Sequence, residues 1–142
     1  MKFFLVFDSV GNRMGQVTQT SKHLLYADDS IDSCELIVYL LQEVEAFNFK
    51  VTFAESAAKS IQVVQEQRFD VIVLDQYYLD GTGVDVCGYI RQIGITTPVI
   101  FYTGDSRDAT RQEAIAAGAQ FYLTKPSDLG ALVDAIVQVV SV

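Results

Sequence analysis

The sequence predicts an α/β fold, a doubly wound parallel sheet with helices on both faces, and three observations carry that prediction. Short apolar runs alternate with helical periodicities from residue 23 to the C-terminus. Strict strand–helix alternation requires parallel strands joined by right-handed crossovers. The middle run, "VIVLD" at 71–75, is apolar until it stops on an acid, as expected of a central strand buried on both faces. Finally, Gly94 and Gly118 close two of the helical patterns, where a left-handed residue ends a helix cheaply.

Taken in order, "HLLYADD" (23–29) reads as the first strand and "SIDSCELIVYLLQEVEAF" (30–47) as a helix with Ser30 as its N-cap. "FKVTFAES" (49–56) is the second strand. The helix "AAKSIQVVQEQR" (57–68) follows, with Ala57, Ile61 and Val64 recurring at three to four residues. "VIVLD" is the third strand, and "GVDVCGYIRQIG" (83–94) its helix. "PVIFYTGD" (98–105) and "SRDATRQEAIAAG" (106–118) form the fourth unit; "QFYLTKP" (120–126) and "SDLGALVDAIVQVV" (127–140) form the fifth.

Residues 1–22 lie outside the alternation and are read as an N-terminal extension to a body spanning 23–142. "KFFLVF" (2–7) favours a strand, and "DSVGNRMGQVTQTSK" (8–22) reads as a loop with two glycines. The extension is expected to add a strand to a sheet edge, dock on a helix face, or stay mobile.

A chain of 142 residues is read as one domain with a sizeable core. Its formal net charge of −8 disfavours direct contact with nucleic acid. The apolar run Phe3 to Phe7 is closed by Asp8, short of the roughly 7 to 15 residues of a secretion signal and the roughly 20 of a membrane span. Asp134 and Gln138 interrupt the last helix, so no membrane insertion is expected. Cys34 and Cys87 lie far apart within helical patterns and are read as reduced core residues of a cytoplasmic protein. His23, the one histidine, begins a strand and is expected at a solvent edge rather than as a phosphodonor.

Ligands of open parallel sheets bind outside the carboxyl ends of the strands. Those ends carry Asp28 and Asp29, Asp75, Thr103, and Lys125 followed by Pro126. Three carboxylates packed together are unfavourable unless a cation holds them, and oxygen-only ligands suit Mg2+. With that ion bound, Asp75 is placed as a nucleophile toward a phosphoryl group. Lys125 and the Thr103 hydroxyl would neutralise its peripheral oxygens.

These stretches resemble the receiver domain of two-component response regulators. The matching segments are "ADD" at 27–29, "VIVLD" with "DG" at 80–81, "YTGD" at 102–105 and "AAGAQFYLTKP" at 116–126, so the likeness covers residues 23–140. It implies a flavodoxin-like five-stranded sheet in order 2-1-3-4-5. It further implies a phosphoacceptor switch that takes a phosphoryl group on Asp75 from a sensor histidine kinase or a phosphotransfer protein. No enzymatic activity is implied beyond its own phosphorylation and dephosphorylation.

By the same resemblance, Asp29 is a direct Mg2+ ligand and Asp28 acts through a metal-bound water. Asp75 and the backbone carbonyl of Tyr77 complete the metal set. Thr103 and Lys125 match the switch hydroxyl and lysine. Tyr122 matches the aromatic that turns inward as Thr103 moves, altering the surface of the last units for an output partner. Gly104 leaves the phosphate approach open. Leu79 stands where the family usually has proline, and Tyr77 is bulky for its position; Tyr77 and Asp105 are expected to flank the phosphoryl group and alter its lifetime.

Competing readings remain. Asp28 and Asp29 could serve as helix caps, and Tyr122 as a packed ring with its hydroxyl in water. Leu129, Leu132, Val133, Ile136, Val137, Val139 and Val140 exceed the stripe one core-facing side requires, which fits either a homodimer surface or full burial. A degenerate receiver acting as a constitutive interaction module is one alternative function. A Mg2+-dependent aspartyl-phosphate phosphatase is another, but it predicts a nucleophile on the first strand with a second acid two residues on. Because the chain ends just past the last helix, a stand-alone regulator, a relay intermediate and a piece of a longer protein are all expected forms.

Overall fold

The computed structural model describes the backbone of residues 3–142 and the side chains of 5–13 and 19–142. The chain opens with β1 (Phe3–Phe7) paired antiparallel with β2 (Arg13–Thr18). Gln19 alone separates this hairpin from β3 (Thr20–Ala27), which leads into α1 (Ile31–Gln42). Next come β4 (Phe47–Ala54), α2 (Ala57–Glu66) and β5 (Val71–Leu74). A two-residue-per-arm hairpin, β6 (Tyr77–Tyr78) and β7 (Gly81–Thr82), precedes α3 (Gly83–Gln92). The chain closes with β8 (Val99–Thr103), α4 (Asp108–Ala116), β9 (Phe121–Thr124) and α5 (Leu129–Val140).

The main sheet is parallel, in order β4-β3-β5-β8-β9, which is the predicted 2-1-3-4-5. Period-two alternation along β3 sends Leu24 and Tyr26 to one face and Leu25 and Ala27 to the other. On the first face α1 and α5 supply Ile37, Leu41, Leu132 and Ile136; on the second, α2, α3 and α4 supply Val63, Ile90 and Ala114. All four residues of β5 are buried, so the central strand is covered on both sides. Burying an aliphatic side chain such as Ile136 stabilises the fold by roughly 1.5–3 kcal/mol.

Local chemistry fixes the ends of the elements. Ser30 caps α1 by accepting from the Ser33 amide at 3.3 Å, and Ser56 caps α2 by accepting from that of Lys59 at 3.0 Å. Gly94 and Gly118 have φ of 85° and 112° after their helices, the left-handed geometry expected of them. Both cysteines are buried and free, and burial pushes the Cys34 thiol up to about 11.

Three local expectations change. The segment read as a loop from residue 8 to 22 contains β2 and the start of β3, because the Asp8 carboxylate accepts from the Val10 and Asn12 amides and closes a hairpin turn. Gly15 within β2 weakened the alternation that would have marked it. The hairpin is a sheet of its own rather than an added edge strand. His23 is not at an open edge. It is half-buried, with its ring nitrogens 2.7 Å from the Thr52 hydroxyl and 3.1 Å from the Arg68 carbonyl, and its ring packs on Phe69. On α5, Leu132, Ile136 and Val140 are buried while Leu129, Val133, Val137 and Val139 are half-buried, so the full-burial reading fails.

Candidate functional site

Asp28 and Asp29 follow the last residue of β3, and Asp75 follows the last residue of β5. Because the two strands are adjacent and in register, with Ala27 opposite Leu74, the acids meet at one edge. A carboxylate oxygen from each lies within 4.8 Å of the others. Asp28 is buried, Asp75 half-buried and Asp29 exposed. The ammonium of Lys125, just past β9, lies 2.5 Å from Asp28 Oδ2 and 3.0 Å from Asp75 Oδ2.

Burial lowers the Lys125 pKa, but the hydrogen bond to Asp28 and the charge of Asp75 outweigh it and hold it well above the ordinary lysine range. One ammonium among three carboxylates leaves the cluster short of positive charge. Asp29 has no ion pair among the described residues. An oxygen-only cluster of this kind has the donor chemistry for Mg2+, which binds one or two carboxylates and keeps several waters. Asp28 Oδ1 also accepts from the Ser30 amide at 2.9 Å, but the residue that caps α1 is Ser30 and not either acid.

Several supporting residues went unread in the sequence. The Tyr78 hydroxyl donates to the Ala27 carbonyl at 2.8 Å and accepts from the Asp75 amide at 2.9 Å, stitching the two strand ends under the acids. Burial holds that phenol far above its ordinary pKa. At Gly83 a Cβ would collide with the Asp75 carbonyl and with the Phe101 ring at 2.8 Å, so only glycine lets α3 start this close. The Gln76 side chain accepts from the Val84 amide at 3.0 Å. None of these had a signal beyond its neighbours; only proximity reveals them.

Leu79 is fully exposed at the tip of the β6–β7 hairpin. The missing proline is offset by Asp80, whose carboxylate accepts from the Ala57 and Ala58 amides at 2.8 and 3.0 Å. That tether also places an acid at the N-terminus of α2, where the helix dipole favours it.

The opposite flank is organised around Asp105. Its carboxylate accepts from the Tyr77 hydroxyl at 2.6 Å, Arg107 Nη2 at 2.7 Å and the Thr110 hydroxyl at 2.8 Å. Arg107 Nη2 also reaches the Tyr77 hydroxyl at 2.6 Å. The Arg107 hydrogen bonds, followed by that from Tyr77, hold this carboxyl well below the usual range.

The Asp105 backbone joins the two remaining predicted residues. Its amide donates to the buried Thr103 hydroxyl at 3.4 Å, and its carbonyl accepts from the Tyr122 hydroxyl at 2.5 Å. Tyr122 is 4% exposed, stacks on Phe101 and lies under Arg111. The reading with its hydroxyl in water therefore fails, and burial followed by the Asp105 charge pushes that hydroxyl up to about 12. Gly104 is exposed and faces open space.

The fold and the acid cluster define a class, the doubly wound α/β domains with an acidic site at the carboxyl ends of their parallel strands. Comparison with known proteins places the chain within it. Residues 24–137 match the model of the response regulator receiver domain, and the chain belongs to that family. It is 34% identical over 117 residues to the acid tolerance regulatory protein ActR of Rhizobium meliloti, covering 82% of this chain and 59% of that protein. The match to the transcriptional regulatory protein ZraR of Escherichia coli K12 is 30% over 112 residues, with 79% of this chain and 25% of that protein covered. The chain thus spans only part of these curated relatives.

Among solved structures, a two-component response regulator from Clostridium difficile superposes with a TM-score of 0.76 at 25% identity, covering 87% of this chain and 97% of that one. The Mn2+-bound form of response regulator Rcp1 superposes with a TM-score of 0.73 at 21% identity, covering 82% and 92%. No helix among the described residues is long and apolar enough to cross a membrane.

Proposed function

We propose that the protein is a phosphoacceptor switch in which Asp75 takes a phosphoryl group from a phosphohistidine of a sensor kinase or phosphotransfer protein. The N–P bond of the donor breaks, an Asp75 Oδ–P bond forms, and the freed imidazole takes up a proton. Asp29 and Asp75 would hold Mg2+ directly, Asp28 through a water, and the Tyr77 carbonyl would complete the set. When bound, that ion supplies charge neutralisation for a loose phosphoryl-transfer transition state.

Lys125, already on Asp75, is placed to follow the transferred group's oxygens. Thr103 would exchange its bond to the Asp105 amide for one to the phosphoryl group. That move loosens the same residue whose carbonyl holds Tyr122, and so alters the surface of α4, β9 and α5 for an output partner. A modest differential affinity between the two states suffices to shift such an equilibrium. We place the chain in the cytoplasm, with no further catalytic activity.

The observation that carries this reading is the acid cluster with a single ammonium bridging Asp28 and Asp75. A degenerate receiver would have lost one of these groups. A phosphatase of the alternative type would place its nucleophile on the first strand, whereas the acid bridged with Asp28 follows β5. The deciding experiment is incubation with acetyl phosphate and Mg2+ followed by intact mass measurement. One added phosphoryl group is expected, absent with EDTA and absent in Asp75→Asn. The same addition in that variant would refute the assignment.

A further inference from the structure

Beside the acid cluster, between α1 and the end of β4, lies a groove of about 510 Å3. One wall is Ile31, Cys34, Glu35 and Val38 of α1, a stripe at i, i+3, i+4 and i+7. The other is Phe53 of β4, which is exposed. Through Val38 the groove runs on along α1 into a smaller hollow lined by Leu41, Phe49 and Val51. The core-facing side of α1 is centred on Ile37 and Leu41, so the stripe through Ile31 and Val38 is a second seam that the fold leaves open. β4 is the edge strand of the main sheet. A helical seam beside the open face of an edge strand is the geometry that receives another helix.

The rim is acidic. Asp29, Glu35 and Glu55 border the groove, are exposed, and have no ion pair among the described residues. α1 itself carries no base. An apolar seam inside an unneutralised acidic rim is complementary to a helix whose apolar stripe is flanked by Lys or Arg.

This chain offers no such helix, to itself or to a second copy. α2 and α3 each carry one base and one acid, α4 one base against two acids, and α1 and α5 acids alone. The N-terminal hairpin is β-structure, and its described residues hold one base, Arg13, and one acid, Asp8. Two copies, each of net charge −8, also repel across an acidic rim. Charge thus assigns the groove to a different protein.

We propose that the groove is the docking site for a basic amphipathic helix of a partner protein. The helix packs its apolar stripe on Ile31, Val38 and Phe53, and its flanking Lys or Arg side chains pair with Glu35, Glu55 and Asp29. Asp29 belongs to the acid cluster as well, so the docked helix lies at the mouth of the crevice.

The test titrates the full chain, in EDTA, with a synthetic helical peptide of about 15 residues made of Leu, Ala and Lys, its Leu at helical spacing and its Lys on both flanks. One control peptide has the same composition with the Leu spacing scrambled; another has Glu in place of Lys. Omitting metal and phosphodonor separates the outcome from the phosphoacceptor reading. The first peptide should bind at least about tenfold tighter than either control, with the largest amide NMR shifts at Ile31, Glu35, Val38 and Phe53. The pair Glu35→Lys with Glu55→Lys should weaken that binding about tenfold and take up the Glu peptide instead. Both positions are exposed, and circular dichroism checks that the fold is kept. Equal binding of the scrambled peptide would mean that charge alone attracts it, and overturns the proposal. So does an absence of binding, binding indifferent to the pair, or shifts centred on α5. A nuclear Overhauser contact between Phe7 and Phe53 in the peptide-free chain would fill the groove with its own hairpin. A dimer broken by the same pair would fill it with a second copy. Either result equally overturns the assignment to a partner helix.

Discussion

On the α1 flank of the crevice one ammonium pairs with two of three clustered carboxylates, whereas on the α4 flank a single carboxylate is claimed by a guanidinium and two hydroxyls. Asp28, Asp29 and Asp75 lie within 4.8 Å of one another with only Lys125 between them. Asp105 is saturated by Arg107, Tyr77 and Thr110. The first arrangement is electrostatically unfinished and gains from any small cation; the second is complete and gains nothing. The imbalance marks where a ligand belongs, and the saturation marks a latch that holds the surrounding loops.

The largest expected effect breaks this comparison by supplying the missing charge. Mg2+ at about a hundred times its Kd should raise the unfolding free energy by about 2.7 kcal/mol, through its binding to the native state alone. Asp29→Asn should remove most of that gain, while Arg107→Gln should leave it intact. Equal gains in all three proteins, followed by urea unfolding, would dissolve the distinction between the flanks. Next in size is Lys125→Ala in metal-free protein. Its side chain is 24% exposed, so losing the pair should cost about 2 kcal/mol, short of a fully buried one. Mg2+ should recover part of that loss.

On the latched flank, Tyr77→Asn removes the hydroxyl shared by Asp105 and Arg107 and would open the proposed phosphoryl site to water. Radiolabelled phosphoprotein should then decay up to about tenfold faster, a barrier change of about 1.4 kcal/mol. An unchanged decay rate would confine the latch to a structural role. Tyr122→Phe is smaller. The ring keeps its stack on Phe101 and loses only the bond to the Asp105 carbonyl, for about 1 kcal/mol by urea unfolding.

The two flanks also differ in how much of them could be read from residues alone. The acid flank was legible because its members sit at strand ends, and strand ends are marked by where an apolar run stops: "VIVL" halting at Asp75, "LLYA" at Asp28. The latched flank was not. Asp105 and the Tyr77 side chain were named only as neighbours of a phosphoryl group, apart from the Tyr77 carbonyl in the metal set; that Arg107 folds back over both depends on a loop conformation with no periodicity to announce it. Tyr78 was invisible for a related reason. Its hydroxyl matters because β6 turns it under Ala27, and a two-residue strand leaves no pattern. The parallel sheet followed from chain-wide alternation and its order from the receiver resemblance, but the first hairpin was lost where Gly15 broke the period-two signal.

The smallest prediction concerns acid. The Asp105 carboxyl is held below its ordinary 3.8, first by the Arg107 hydrogen bonds and then by that of Tyr77. A depressed carboxyl contributes stability that is present above the unfolded value and is lost only as pH falls through the lower folded value. The latch should therefore persist through the range in which unpaired carboxyls protonate. Carboxyl-carbon NMR should find Asp105 flat from about pH 7 to about pH 4, and in Arg107→Gln its titration should move up toward that window. A titration at the ordinary value in both proteins would mean that Arg107 does not clamp Asp105 in solution. The α4 flank would then be as open to ligands as the α1 flank.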